Sequence, residues 1–266
     1  MIRVRQTRRS VGVTTAVLAV ALGLVGCGST SSGPAAGGSV TPEKHTITVY
    51  AASSLKDVFS LLGKNFSAAH PGTDVVFSFG ASSTLGTQIA QGAPADVFAS
   101  ASKATMQAAI TAGSLTSSQV FATNVLEVAT PPDDPGKVSA LGDLARAELK
   151  VAVCQPAVPC GAAATQLFAK AGLAVTPVSQ EADVKAVLTK VELGEVDAGV
   201  VYVTDVLAAG SKVRGVPIPA SANVSTSYPI GVVNASKEQA VAAEFVAFVL
   251  SPAGRAALGA AGFGGP

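Results

Sequence analysis

The sequence predicts an α/β fold, a parallel sheet covered by helices on both faces, and three observations predict it. From Thr46 onward, β-rich runs alternate with segments of helical hydrophobic spacing, the pattern of strands joined through helices. The stretch from Thr46 to Phe263 is long enough for one large domain or two lobes with an ample core. No internal repeat at a fixed period is visible.

The chain opens with a segment that does not belong to this fold. Met1 to Arg9 carries four arginines and no acid, Val11 to Val25 is almost wholly apolar, and Leu24-Val25-Gly26-Cys27 closes the run. A basic start, a short apolar stretch and small residues before a cut site describe a secretory signal, too short to span a bilayer comfortably. Leu-Val-Gly-Cys resembles a bacterial lipobox, which implies cleavage after residue 26 and lipid on Cys27. Arg8-Arg9 leaves the general secretory and twin-arginine routes both open. Gly28 to His45 is Gly, Ser, Thr, Pro and Ala with almost no bulky apolar residue, so residues 27–45 read as a lipid anchor and flexible tether.

The globular elements follow in order. Thr46 to Ala51 is a short β-rich run, and Leu55 to Ala69 has helical spacing through Leu55, Val58, Phe59, Leu62 and Phe66. Asp74 to Phe79 reads as a strand, Leu85 to Gln91 as a short helix and Ala95 to Ala99 as a third strand. Pro131-Pro132-Asp133-Asp134-Pro135-Gly136 is a strong breaker. Beyond it come the strand Lys150 to Cys154, helices Ala162 to Ala171 and Val184 to Leu193, and the strand Ala198 to Val203. Tyr228 to Val233 is a last strand, and Lys237 to Leu250 an amphipathic helix capped by Asn234 or Ser236.

Charge and cysteines narrow the partners. Of 18 basic and 17 acidic residues, the four signal arginines are lost on cleavage, leaving 14 against 17, about −3. Without a Lys/Arg cluster, nucleic acid is excluded as a partner, because phosphate contacts need clustered cations. An anion here must be held by local dipoles. An exported chain meets an oxidising compartment, so Cys154 and Cys160, with five residues between them, are expected to pair; two free buried thiols are the alternative. Two thiols with distant histidines make no zinc site, and no metal or cofactor is expected.

Chemistry concentrates at strand-to-helix turns. In Ala51-Ala52-Ser53-Ser54-Leu55 and again in Gly80-Ala81-Ser82-Ser83-Thr84-Leu85, paired serines separate a strand from a helix. A helix start presents N–H groups without intrahelical partners and the positive end of the macrodipole, and a serine adds a hydroxyl donor. Such a pair taken singly is more often an ordinary helix cap; two of them, each behind a small residue that lets a ligand approach, point to an anion site.

Ile47 to Leu55, with Ser82-Ser83-Thr84-Leu85 and Gly92 to Ala101, resembles the periplasmic molybdate-binding proteins; Ala182-Asp183-Val184-Lys185 and Gly199 to Asp205 also match. The Ala-Pro-Ala-Asp block at 93–96 is shared more widely among group II solute-binding proteins. The resemblance covers Thr46 to Phe263. It implies the type II periplasmic-binding-protein fold: two α/β lobes, 46–124 with 232–266 and 125–231, joined by two crossover strands with the ligand between them. It also implies a monomer that collects molybdate, and tungstate with it, for an ABC permease while tethered to the outer face of the cytoplasmic membrane. Carried over residue by residue, the donors are the hydroxyls and N–H groups of Ser54 and Ser82, the N–H groups of Cys160 and Val184, and the Tyr202 hydroxyl. Cys160 departs from the small residue usual at that turn. The same four of these, Tyr202 apart, stand at expected helix starts.

An all-donor set without a carboxylate suits a dianion that offers only acceptors. Hydrogen phosphate keeps a proton and needs an acceptor; sulfate differs from molybdate only in size. Other classes fit less well. A hydrolase needs an activated nucleophile, yet Gly80-Ala81-Ser82-Ser83-Thr84 lacks the second glycine of a nucleophile elbow, and His45 and His70 stand in unsuitable places. No enzymatic activity is expected. A ferric-iron binder of the same fold would need adjacent tyrosines, whereas Tyr50, Tyr202 and Tyr228 are scattered. Another tetrahedral oxyanion, sulfate first, is the alternative ligand.

Overall fold

Strands and helices alternate along residues 44–266, the part of the chain that the computed structural model describes. The expected secretory signal, the expected lipid on Cys27 and all but the last two residues of the expected tether lie outside the described residues. In order, the elements are β1 (His45–Ala52), a 3-10 turn at Ser53–Leu55, α1 (Lys56–Ala69), β2 (Thr73–Gly80), α2 (Ser82–Ala90), β3 (Val97–Ala99), α3 (Lys103–Thr111) and β4 (Gln119–Thr130). There follow β5 (Val151–Cys154), α4 (Pro159–Ala171), β6 (Ser179–Glu181), α5 (Val184–Glu192), β7 (Ala198–Tyr202), α6 (Val203–Ala209), β8 (Arg214–Pro217), β9 (Ser225–Val232), α7 (Gln239–Leu250) and α8 (Pro252–Ala260).

The sheet runs β2-β1-β3-β9-β4-β7-β5-β6, with β8 paired to β4. It is mixed, which corrects the expectation of a parallel sheet. The flanks are parallel (β1 with β2 and β3, β5 with β6 and β7), but β9 is antiparallel to β3 and β4, and β4 to β7 and β8. The cause lies in β4. Its first half pairs with β9 through Val125, and from Leu126 it pairs with β7 and β8. One strand thus serves two neighbourhoods, and the chain returns along β9 in the opposite direction.

The buried apolar residues follow that division. One core gathers Leu126 to Ile218 with Ala81; a second joins residues of 47–121 to Tyr228, Phe245 and Phe263. A smaller cluster under α2 and α3 centres on Phe98 and Met106. Helix α1 shows how the pattern works: Val58, Phe59, Leu62 and Phe66 are buried while Lys56, Asp57 and Lys64 face water. Each large apolar side chain so removed from water contributes roughly 1.5–3 kcal/mol. Phe66 packs edge-on against Phe245 and stacks on His70, where the helix ends before Pro71. This fold is the expected two-lobe α/β type.

Some boundaries differ from expectation. Helix α2 begins at Ser82, not Leu85, and α4 at Pro159, not Ala162, because polar or proline first turns carry no apolar periodicity. The last long helix starts at Gln239 without a side-chain cap; Ser236 instead receives the Glu238 N–H in the loop ahead of it. It breaks at Ser251, where Ser251 Oγ caps α8 by accepting from the Gly254 N–H.

Candidate functional site

Four helix starts point at one place. The turn Ser53–Leu55 leaves β1 and runs straight into α1, α2 begins at Ser82 after β2, α4 has Cys160 in its first turn, and α5 begins at Val184. Strand β7 ends there too, at Tyr202. Ser54, Ser82, Cys160, Val184 and Tyr202 all line one small cavity between the two cores. The cavity is small, about 10 Å³, with room for one water-sized group. Ala52, Gly80, Ala81 and Ala101 complete the wall on one side, and their lack of bulk lets a ligand approach the backbone.

The polar groups on this wall are buried and oriented. Ser82 is 1% exposed, and its Oγ accepts the Ala101 N–H at 3.0 Å. Its own proton is therefore free to point into the cavity. Ser54 Oγ lies 3.0 Å from the Tyr228 hydroxyl. Tyr202 is wholly buried, and its hydroxyl has no hydrogen-bond partner among the described residues. Burial, then the neighbouring Tyr228 hydroxyl and Asp205 carboxylate, hold that phenol well above its ordinary pKa, so it remains a donor. An unpaired buried hydroxyl costs about 1–3 kcal/mol unless something accepts its proton.

Local chemistry fixes the turns at Val184 and Cys160. Asp183 caps α5, its Oδ1 accepting from the N–H groups of Lys185 (2.8 Å) and Ala186 (3.2 Å). The Val184 N–H, at the first helical position, is not used by that cap. Cys154 and Cys160 are joined, with Cα atoms 5.7 Å apart, across the Gln155-to-Pro159 loop. Gly161 holds the same loop tightly: a Cβ there would lie 1.9 Å from the Gln155 carbonyl oxygen.

Asp183 corrects the expectation of a wall without carboxylates, since it lines the cavity as well. The start of α5 needs a cap for its free N–H groups, and an aspartate supplies it.

Five polar groups around the cavity escaped sequence reasoning: Lys185, Asp57, Asp205, Asn124 and Tyr228. Lys185 Nζ sits 2.7 Å from Asp57 Oδ2 on α1 and 3.2 Å from Asp205 Oδ1 at the start of α6, tying the two sides of the cavity together. The Asp205 contact falls within ion-pair distance but outside hydrogen-bond geometry, so Oδ1 counts as unbonded while Oδ2 accepts the Tyr202 N–H at 3.1 Å. Burial raises the Asp205 pKa from 3.8 to about 6 against the opposing pull of Lys185. Burial also works against the Lys185 charge, but Asp205 and Asp57 outweigh it and its pKa rises. Asn124 and Tyr228, on β4 and β9, complete the buried polar set behind Ser54. Neither histidine is near: His45 pairs with Glu238, and His70 bonds the Phe66 carbonyl.

Comparison with known proteins fits this geometry. Residues 47–264 match the family model of the bacterial extracellular solute-binding proteins. The molybdate-binding protein ModA of Mycobacterium tuberculosis (strain ATCC 25618 / H37Rv) is 42% identical over 261 residues, covering 97% of this chain and all of that one. ModA of Escherichia coli (strain K12) is 30% identical, covering 79% of this chain and 85% of its own. Among solved structures, the periplasmic molybdate-binding protein of Azotobacter vinelandii superposes with a TM-score of 0.73 at 25% identity, covering 83% of this chain and 99% of that one. The sulfate-binding protein SubI of Mycobacterium tuberculosis H37Rv has a TM-score of 0.72 at 20% identity, covering 82% and 86%; that likeness is one of fold alone.

Proposed function

The chain belongs to the bacterial extracellular solute-binding protein family, whose members bind rather than transform their solutes, and on that premise we propose that it captures molybdate for an ABC importer. The observation that supports this reading is that Ser54, Ser82, Cys160, Val184 and Tyr202, from four helix starts and the end of β7, line one small cavity. Charge-assisted hydrogen bonds contribute roughly 1.5–3 kcal/mol each, and a helix terminus adds about 0.3–1, so several together offset much of the anion's desolvation. Molybdate-binding relatives over nearly the whole length support the choice of anion. Tungstate, similar in size and charge, is a second ligand in this reading. Lobe 1 comprises 46–124 and 232–266, lobe 2 comprises 125–231, and the donors are Ser54, Ser82, Cys160, Val184 and Tyr202. The protein acts as a monomer, anchored through lipid on Cys27 to the outer face of the cytoplasmic membrane, and passes its cargo to a permease.

The test is calorimetric titration and thermal shift of the exported protein with molybdate, tungstate, sulfate and phosphate in parallel. Molybdate and tungstate should bind and raise the melting temperature, since a ligand at a thousandfold excess over its Kd stabilises the native state by about 4 kcal/mol. Equal binding of phosphate would overturn the selectivity, with Asp183 the acceptor to suspect. No response to any of the four would overturn the function.

A further inference from the structure

Behind Ser54 runs a chain of polar groups whose direction is set at one end. Asn124 Oδ1 accepts the Val125 N–H at 2.9 Å, which fixes which end of the amide is which. Its Nδ2, a donor only, then faces the Thr204 hydroxyl at 2.9 Å and the Tyr228 hydroxyl at 3.5 Å. The Tyr228 oxygen, receiving from Asn124, keeps one proton of its own, and Ser54 Oγ stands 3.0 Å away. Two other hydroxyls stand near: Thr226, which donates to the Asn124 backbone carbonyl oxygen at 3.4 Å, and Tyr202, whose ring packs edge-on against that of Tyr228 and whose proton this reading leaves to the cavity. All four residues that carry the relay are buried: Ser54 is 6% exposed, Asn124 3%, Thr204 4% and Tyr228 0%.

Resting on the oxyanion reading above, we infer that Asn124 and Tyr228 are positioning residues that force Ser54 to donate, and so select an anion bearing no proton. Ser54 receives the Tyr228 proton and has only its own left to give, and the cavity is where it can go. Ser82 is held in the same sense by the Ala101 N–H. A hydroxyl left to itself can turn and accept. With both serines committed as donors, a ligand that must donate a proton meets two hydroxyls with nothing to offer it. The relay also explains the placement of Asn124 at the point where β4 passes from β9 to β7, because there it reaches Thr204 of α6 and Tyr228 of β9 at once.

The test is a double-variant cycle on the exported protein: parent, Tyr228→Phe, Ser54→Ala and the pair together, titrated with molybdate and with phosphate in competition. Tyr228→Phe keeps the ring that packs between Phe121, Tyr202 and Phe263. It should weaken molybdate on the order of tenfold, the loss of one oriented donor. It should do nothing further on the Ser54→Ala background, and should improve the competition of phosphate against molybdate by a similar factor. Asn124→Ala, carried through the same cycle, should show the same dependence on Ser54 and serves if Tyr228→Phe does not fold. Losses that simply add across the cycle, or an unchanged molybdate affinity, would overturn the inference while leaving the molybdate reading intact. A parent that binds no molybdate would overturn that reading, and this inference with it.

Discussion

Replacing Lys185 by Met removes one ammonium while keeping the apolar stem, and the structure sets the size of the effect. Two contacts are lost. Asp57 is 58% exposed, so its share is worth only about 0.5 kcal/mol after solvent screening. Asp205 is fully buried, and stranding a buried carboxylate ordinarily costs about 3–5 kcal/mol. Here protonation caps the loss. The Asp205 pKa is about 6 with Lys185 present, so at pH 7 ionisation contributes only on the order of 1–2 kcal/mol. The total at pH 7 is then about 2 kcal/mol, and at pH 5, where Asp205 is protonated in both proteins, about 0.5.

The sign follows from linkage. Folding raises the Asp205 pKa above 3.8, so from about pH 4 to 6 the native state holds a proton the unfolded state has released. That contribution is full below the unfolded value and is lost as pH climbs through the folded one. Removing Lys185, which pulls the pKa down, extends the decline to higher pH. For a domain of this size about 2–4 °C of melting temperature corresponds to each kcal/mol. Thermal denaturation of the ligand-free protein should therefore show Lys185→Met lower by about 4–8 °C at pH 7 and about 1–2 °C at pH 5. On an Asp205→Asn background the two pH values should give the same small difference. A loss that is equal at both pH values in the parent background would refute the reasoning.

Ser54→Ala and Ser82→Ala should each weaken molybdate tenfold or more in calorimetry while lowering the ligand-free melting temperature by only a few degrees, as loss of one hydrogen bond costs about 1 kcal/mol; unchanged affinity would make that serine a plain structural hydroxyl. The Cys154–Cys160 bond closes only a short loop, so its reduction should cost about 2 kcal/mol of stability and proportionately more molybdate affinity, through the loop proposed to present the Cys160 N–H. Two alkylatable thiols in freshly exported protein would contradict it. Cys27→Ser should move the exported protein from the membrane to the soluble fraction, and retention at the membrane would count against the lipid anchor.

What could be read from sequence, and what could not, divides along physical lines. The alternation at β1, α1 and β2 was legible because Val49, Phe59 and Phe77 each pack one face of their element against one core. Strand β4 was not, because its residues serve two: Phe121 and Ala122 belong to one core, Leu126 and Val128 to the other, with a bulge between Val120 and Ala122 and the polar Asn124 at the handover. The paired serines marked the helix starts at 53–54 and 82–83, since the unpartnered N–H groups there are a local property. Tyr202 entered through family resemblance, and only its buried, unpartnered hydroxyl gives it a physical reason. Tyr228 carried no signal: the serine it meets is 174 residues away in the chain. Lys185 was visible as part of a motif, yet its role depends on Asp57, 128 residues distant.

The most direct measurement is a crystal structure of the protein with molybdate, located by the anomalous scattering of molybdenum. A single strong peak should lie in the cavity between Ser54, Ser82, Cys160, Val184 and Tyr202. Its oxygens should lie about 2.7–3.1 Å from the three hydroxyls and from the N–H groups of Cys160 and Val184. A peak elsewhere on the molecule, or a cavity filled by a different group at saturating molybdate, would contradict the assignment of these residues as the binding site.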